Sequence, residues 1–179
     1  MSQVMSQSSG TYRFGDLLAL ARRGWVAQMA ARLAAVGYRD YRRTDAAVVR
    51  LLLAYSPVSI GRLGEGLGIT RQAARKLADG LQHRGYAIAT RDTRDLRRVN
   101  VRLTPAGDHY AAAVIAVIEA LNSELCARVT PDQLLAADAV LRAALPDQES
   151  RATAARLVPA PAEAHAEEAW VGLRATDNV

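Results

Sequence analysis

The chain has 179 residues, half of them apolar, with 23 Lys/Arg against 18 Asp/Glu and a sequence pI near 9.9. That is enough chain for one well-filled core and short for two, and the basic balance admits an acidic partner. A single cysteine excludes an internal disulfide, no apolar run approaches the ~20 residues of a membrane span, and the start MSQVMSQSSG lacks the apolar core of a signal peptide. A cytoplasmic protein that does not contact membrane is therefore expected. Charge is unevenly spread: residues 1–103 hold 18 basic and 7 acidic side chains, residues 104–179 hold 5 and 11.

Residues 1–12 read as a flexible lead-in, Ser/Gln-rich and without periodicity. From Phe14, apolar residues at Leu18, Ala21, Trp25, Met29, Leu33 and Val36 make a helical stripe that Gly37 closes. A second helix follows in TDAAVVRLLLAYSP, with Thr44 or Asp45 as N-cap, apolar on nearly every side and therefore buried. A short third helix, SIGRLGEGLG, carries Gly64 and Gly66, each weakening it by about 1 kcal/mol relative to Ala. Thr70 caps a fourth, RQAARKLADGLQHRG, in which Ala74, Leu77, Ala78 and Leu81 repeat at helical spacing and Gly85 stops the run.

YAIAT and VNVRL then flank a loop dense in arginine and read as a two-stranded hairpin with Val99, Val101 and Leu103 on its buried face. Thr104-Pro105 and Thr130-Pro131 each start a further helix, N-cap followed by Pro at the first turn. Past Pro146 the chain is acidic and interrupted by VPAPAEA, so residues 146–179 read as a mostly disordered acidic tail. The fold class is mainly α with a small two-stranded β-wing: a winged helix-turn-helix, whose second helix enters a DNA major groove, on long helical stems.

With Ala74, Leu77, Ala78 and Leu81 turned inward, Arg71, Gln72, Arg75 and Lys76 face outward near the helix N-terminus, where free N–H groups and the dipole suit phosphate. Arg and Gln are also the side chains that read guanine and adenine edges. In RDTRDLRRVNVRLTPAG, Arg91, Arg94, Arg97 and Arg98 repel one another, and Asp92 and Asp95 offset only part of this. A phosphate backbone or narrow minor groove supplies the rest. Asp95 is expected to orient Arg97, with Arg94 or Arg97 entering the minor groove.

Residues 68–107, GITRQAARKLADGLQHRGYAIATRDTRDLRRVNVRLTPAG, resemble the winged helix-turn-helix of the multiple antibiotic resistance regulator (MarR) family. The resembling features are Leu-x-x-x-Gly-Tyr at the end of the recognition helix, Asp-x-x-Asp-x-Arg in the wing, and Leu-Thr-x-x-Gly after it; the order of helices extends the likeness over about 13–145. The resemblance implies a homodimer built on stem helices 13–36 and 105–145, with a DNA-binding lobe at 44–103 that places one recognition helix per subunit on a pseudo-palindromic operator in double-stranded DNA. It puts DNA contacts on Thr70, Arg71, Gln72, Arg75, Lys76, Arg94, Asp95, Arg97 and Arg98, and repression by occlusion is the mode it implies. Gly64 and Gly66, and the length of the acidic tail, depart from the family pattern.

The same resemblance implies a small aromatic or phenolic effector, for which Trp25, Met29, Tyr38, Tyr41 and Arg42 are the candidate lining, although a Trp/Met stripe at helical spacing also reads as core. Cys126, inside a long helix, reads as a small buried thiol rather than an oxidant sensor. No nucleophile with its base, paired acids or metal-ligand spacing appears, and His83, His109 and His165 are isolated, so no catalysis, metal or cofactor is expected. The rival is a module that uses the same basic face on nucleic acid without sequence preference, or on an acidic protein.

Overall fold

A computed structural model describes residues 13–93, 95 and 98–157. The expected lead-in at 1–12, the greater part of the expected tail (158–179), and the wing residues Arg94, Leu96 and Arg97 lie outside the described residues.

Helix α1 (Phe14–Ala35) buries Met29 and Leu33 and ends where the Tyr38 N–H returns to the Leu33 carbonyl. Helix α2 (Asp45–Tyr55) buries Val48, Val49 and Leu52, as its all-round apolar pattern requires. Thr44 precedes it without a capping hydrogen bond, and Asp45 is drawn instead into an ion pair.

Strand β1 (Val58–Ser59) leads into α3 (Ile60–Leu67), capped by the Ser59 hydroxyl, which accepts the Arg62 N–H. The Thr70 hydroxyl caps α4 (Arg71–His83) by accepting the Ala73 N–H. Strands β2 (Ala87–Arg91) and β3 (Val99–Leu103) pair antiparallel with Ala89 opposite Val101, and β1 joins the other edge of β3 with Val58 opposite that same Val101. The wing is thus part of a three-stranded sheet, β1-β3-β2. Two residues are too few for alternation to reveal the added strand.

Helices α5 (Pro105–Cys126) and α6 (Pro131–Ala143) begin as their Thr-Pro starts predict. Thr104 accepts the Gly107 N–H, Thr130 accepts the Gln133 N–H, and Gln133 returns a bond to the Thr130 N–H. A further helix, α7 (Gln148–Leu157), occupies the start of the region expected to be tail and packs on α3, with Thr153 against Gly68. The core sits where α1, α2, α4, α5 and the sheet meet, around Leu33, Val49, Leu52, Leu63, Leu81, Val101 and Tyr110.

Two glycines are required by contact rather than tolerated. A Cβ at Gly64 would lie 2.9 Å from the Ile69 carbonyl oxygen, so this residue, expected to weaken α3, is what lets α3 and α4 approach. A Cβ at Gly107 would fall 1.8 Å from the Tyr86 carbonyl oxygen. That carbonyl accepts the Thr104 N–H at 3.1 Å while the Thr104 hydroxyl donates to the Gly85 carbonyl at 2.6 Å. The Gly-Tyr and Leu-Thr-x-x-Gly segments are thus two sides of one junction between wing and stem. Gly107→Ala must push backbone away from backbone and is expected to cost about 3 kcal/mol, read as a lower urea midpoint with an unchanged slope.

Candidate nucleic-acid interface

On α4 the burial pattern divides the side chains as helical geometry dictates. Ala74, Ala78 and Leu81 are buried and Leu77 is half-buried, while Arg71, Gln72, Arg75 and Lys76 are exposed on the N-terminal half. Arg75 Nε donates to Asp79 one turn on at 2.9 Å, an exposed pair that steers the guanidinium without holding it tightly. Thr70, also expected at the interface, has its hydroxyl oxygen committed to capping.

The base of the wing is braced by Asp92. Its carboxylate accepts the Asp95 N–H at 3.1 Å and the Asn100 side-chain amide at 2.9 Å, while its own N–H donates to the Arg98 carbonyl. Asp95 accepts the Arg98 N–H on its carbonyl. Sequence reasoning gave Asp92 only a charge-balancing part, although an Asp three residues before a turn amide is a recognisable turn signal. The expected Asp95–Arg97 pair falls outside the described residues.

Because β3 pairs with β1, the wing lies beside the start of α3. The result is a groove lined by Ser59, Arg62, Arg71, Arg98 and Val99, about 190 Å3, continuous in its lining with a second of about 340 Å3 bounded by Ile60, Arg71, Gln72, Arg75 and Val99. Four arginines from three elements therefore surround the N-terminal end of α4. Arg62 was not anticipated: nothing in the linear pattern of α3 brings it to the wing.

The opposite end of α4 is fixed by a buried ion pair. Arg84 holds both carboxylate oxygens of Asp45, at 2.8 and 2.9 Å, with Asp45 only 3% exposed. Asp45 also accepts the Tyr110 hydroxyl at 2.5 Å and the Arg42 N–H at 3.0 Å; Arg84 donates further to the Gly80 and Asp40 carbonyls. Tyr86 stacks on Tyr110 at 4.2 Å, Tyr38 packs edge-on against both, and the guanidinium lies 5.3 Å from the Tyr86 ring. Burial opposes the charge on Arg84, but hydrogen bonding and attraction to Asp45 outweigh it and raise its pKa. Among the described residues no group of His, Cys, Asp and Glu is gathered to hold a metal ion, and no single helix is long and apolar enough to cross a membrane.

No family model and no curated protein matches the chain. Solved structures do. The PcaV transcriptional regulator from Streptomyces coelicolor, in complex with its natural ligand, is 21% identical, with 80% of this chain and 96% of that one covered and a TM-score of 0.63. A MarR mutant from E. coli complexed with operator DNA is 18% identical over 81% of this chain and all of that one, at 0.64. MepR from S. aureus bound to DNA is 16% identical, covering 73% and 94%, at 0.65. The chain has the MarR-family fold.

On this MarR fold the five residues expected to line an effector pocket are divided between core and surface. Met29 is 1% exposed, and Tyr38 is engaged with Tyr86 and Tyr110. Trp25 and Tyr41 are partly buried against the core, and Arg42 is exposed. Burial, and then the Asp45 charge, raise the Tyr41 pKa. Cys126, the last residue of α5, is partly exposed rather than buried.

Burial and the hydrogen bond to Asp40 push the Tyr86 phenol up to about 12, and burial with the Asp45 bond raises Tyr110 as well. Phenols harder to ionise in the fold than in the unfolded chain give stability that is whole below about pH 10 and lost as pH climbs through the folded values. Urea midpoints of the MarR-fold chain should therefore fall between about pH 10 and 12, in step with tyrosinate absorbance, and Tyr86→Phe should flatten that fall.

Proposed function

We propose that the chain is a sequence-specific transcriptional regulator and not an enzyme, binding double-stranded DNA as a homodimer on a pseudo-palindromic operator and repressing by occlusion. The observation that carries it is the convergence of Arg62, Arg71, Arg75 and Arg98 with Gln72 around the exposed N-terminal end of α4. Guanidinium groups at that end meet phosphate and guanine, and Gln72 meets adenine, when α4 lies in the major groove and the wing follows the backbone. MepR and MarR, solved with DNA on the same fold, support this assignment.

The homodimer is supported by apolar surface on the stem. Leu17 and Leu20 of α1 are each 57% exposed, and Leu135, Val140 and Leu141 of α6 stand out similarly, more apolar area than an isolated stem leaves in water. A two-fold axis through the stem repeats α4 at a spacing of one turn of duplex, roughly 34 Å. Release by a small aromatic or phenolic ligand bound near Trp25, Met29, Tyr38, Tyr41 and Arg42 belongs to the same proposal, and PcaV with its natural ligand supports it. A cytoplasmic site of action follows from the DNA partner.

Titration of the chain on its own upstream DNA against scrambled competitor, at two salt concentrations, tests the function. Specific binding should survive competitor; binding that falls steeply with salt and ignores sequence would leave the non-specific module instead. Arg98→Ala should weaken all sequences alike and lower the salt slope by about 1, whereas Gln72→Ala should relax preference at one base position by about 1–3 kcal/mol. Introducing charge on the stem, with Leu20→Glu or Leu141→Glu, should bring the sedimenting species down to one chain of 19.3 kDa and abolish operator binding.

A further inference from the structure

The basic groove has an apolar neighbour. A cavity of about 230 Å3 opens between the C-terminal end of α2, β1 and α3, lined by Leu51, Tyr55, Pro57, Val58, Arg62 and Glu65, with Gly66 at its edge. Arg62 and Glu65 also line the groove beside the wing, so one edge of α3 separates the two.

Three features fit this cavity to a ligand. Its walls are apolar and include an aromatic ring: Tyr55 is 69% exposed, and Leu51 and Val58 lie beside it. Its volume exceeds the ~150 Å3 that holds a benzene molecule in an engineered apolar cavity. A Cβ at residue 66 would lie 3.0 Å from Leu51 Cδ1, so the glycine is what allows that side chain to lie flat against α3.

The polar end has a sign. Among the described residues the Arg62 guanidinium has no hydrogen-bond or ion-pair partner, and only its backbone N–H is used, by Ser59. Glu65 is already engaged. The open valence at the mouth is cationic and calls for an anion, while the rest calls for an apolar ring. Such a ligand also removes from the DNA-facing groove the one arginine the two cavities share.

We propose that this cavity binds a small aromatic monocarboxylate, its ring against Leu51, Tyr55 and Val58 and its carboxylate on Arg62, and that occupancy withdraws Arg62 from DNA. The site is distinct from the one around Trp25 and Met29, and only its effect on DNA rests on the function proposed above.

Benzoate is the probe, with uncharged benzyl alcohol as its counterpart, followed by amide chemical-shift mapping on the full chain without DNA. Benzoate should shift Tyr55, Val58 and Gly66 and bind at least about tenfold more tightly than benzyl alcohol, and Arg62→Gln, a surface change, should remove most of that preference. Shifts centred on Trp25 and Met29, equal binding of the two probes, indifference to Arg62→Gln, or no binding would each overturn the site. The operator titration is run separately, with and without benzoate. Weaker DNA binding in the parent but not in Arg62→Gln supports the coupling, and equal DNA binding with the site occupied overturns it. A chain that binds benzoate through Arg62 but binds no operator removes the DNA-binding function and leaves the site standing.

Discussion

The geometry of the interface depends on the ion pair between Asp45 and Arg84. It is buried, bidentate, and joined by the Tyr110 hydroxyl, so the start of α2, the end of α4 and the stem helix α5 meet at one carboxylate. Taking two charges out of water costs nearly as much as their attraction returns, so such a pair contributes little net stability. What it does is fix position, since loss of either partner strands a charge in the core at a cost of about 3–5 kcal/mol. Arg84 is the residue that ends α4, so its charge also faces the negative end of that helix dipole. The recognition helix is pinned at its C-terminal end and presents its N-terminal end to solvent.

Much of this fold was legible because its elements obey simple periods. The stripes of α1, α4 and α5 and the alternation of β3 gave burial correctly, and Thr104-Pro105 and Thr130-Pro131 are helix starts written in two residues each. The misreadings share a cause: they concern contacts between distant segments. Asp45 looks like a cap in sequence, because its partner is 39 residues away. Gly64 looks like a flaw in a helix until the Ile69 carbonyl is seen against it. β1 is too short to carry a pattern, and α7 lies in a stretch whose charge and prolines argue against packing until α3 supplies a surface.

The interface was legible on one side only. The outward face of α4 follows from the inward one, so Arg71, Gln72, Arg75 and Lys76 could be named from spacing alone. Arg62 could not, because it reaches the wing through the pairing of β1 with β3, a register that no local rule supplies. Aromatic and methionine residues posed the reverse difficulty. Met29 and Tyr38 have the composition of a ligand pocket and the environment of a core, and residue type does not separate the two.

The junction of wing and stem shows how little freedom separates these parts. Tyr86 leads into β2 with its carbonyl against Gly107 of α5, and its ring stacks on Tyr110 of the same helix, which in turn donates to Asp45. Backbone contact, ring stacking and a charge-assisted hydrogen bond thus tie the same four segments together within one turn of α5. Close-packed contacts of this kind do not deform gradually. A rotation of α5 about its axis has to move Tyr110, and Tyr110 cannot move without disturbing the carboxylate that holds the end of α4. The orientation of the arginine-lined face is therefore set from the stem, through residues that never approach that face themselves.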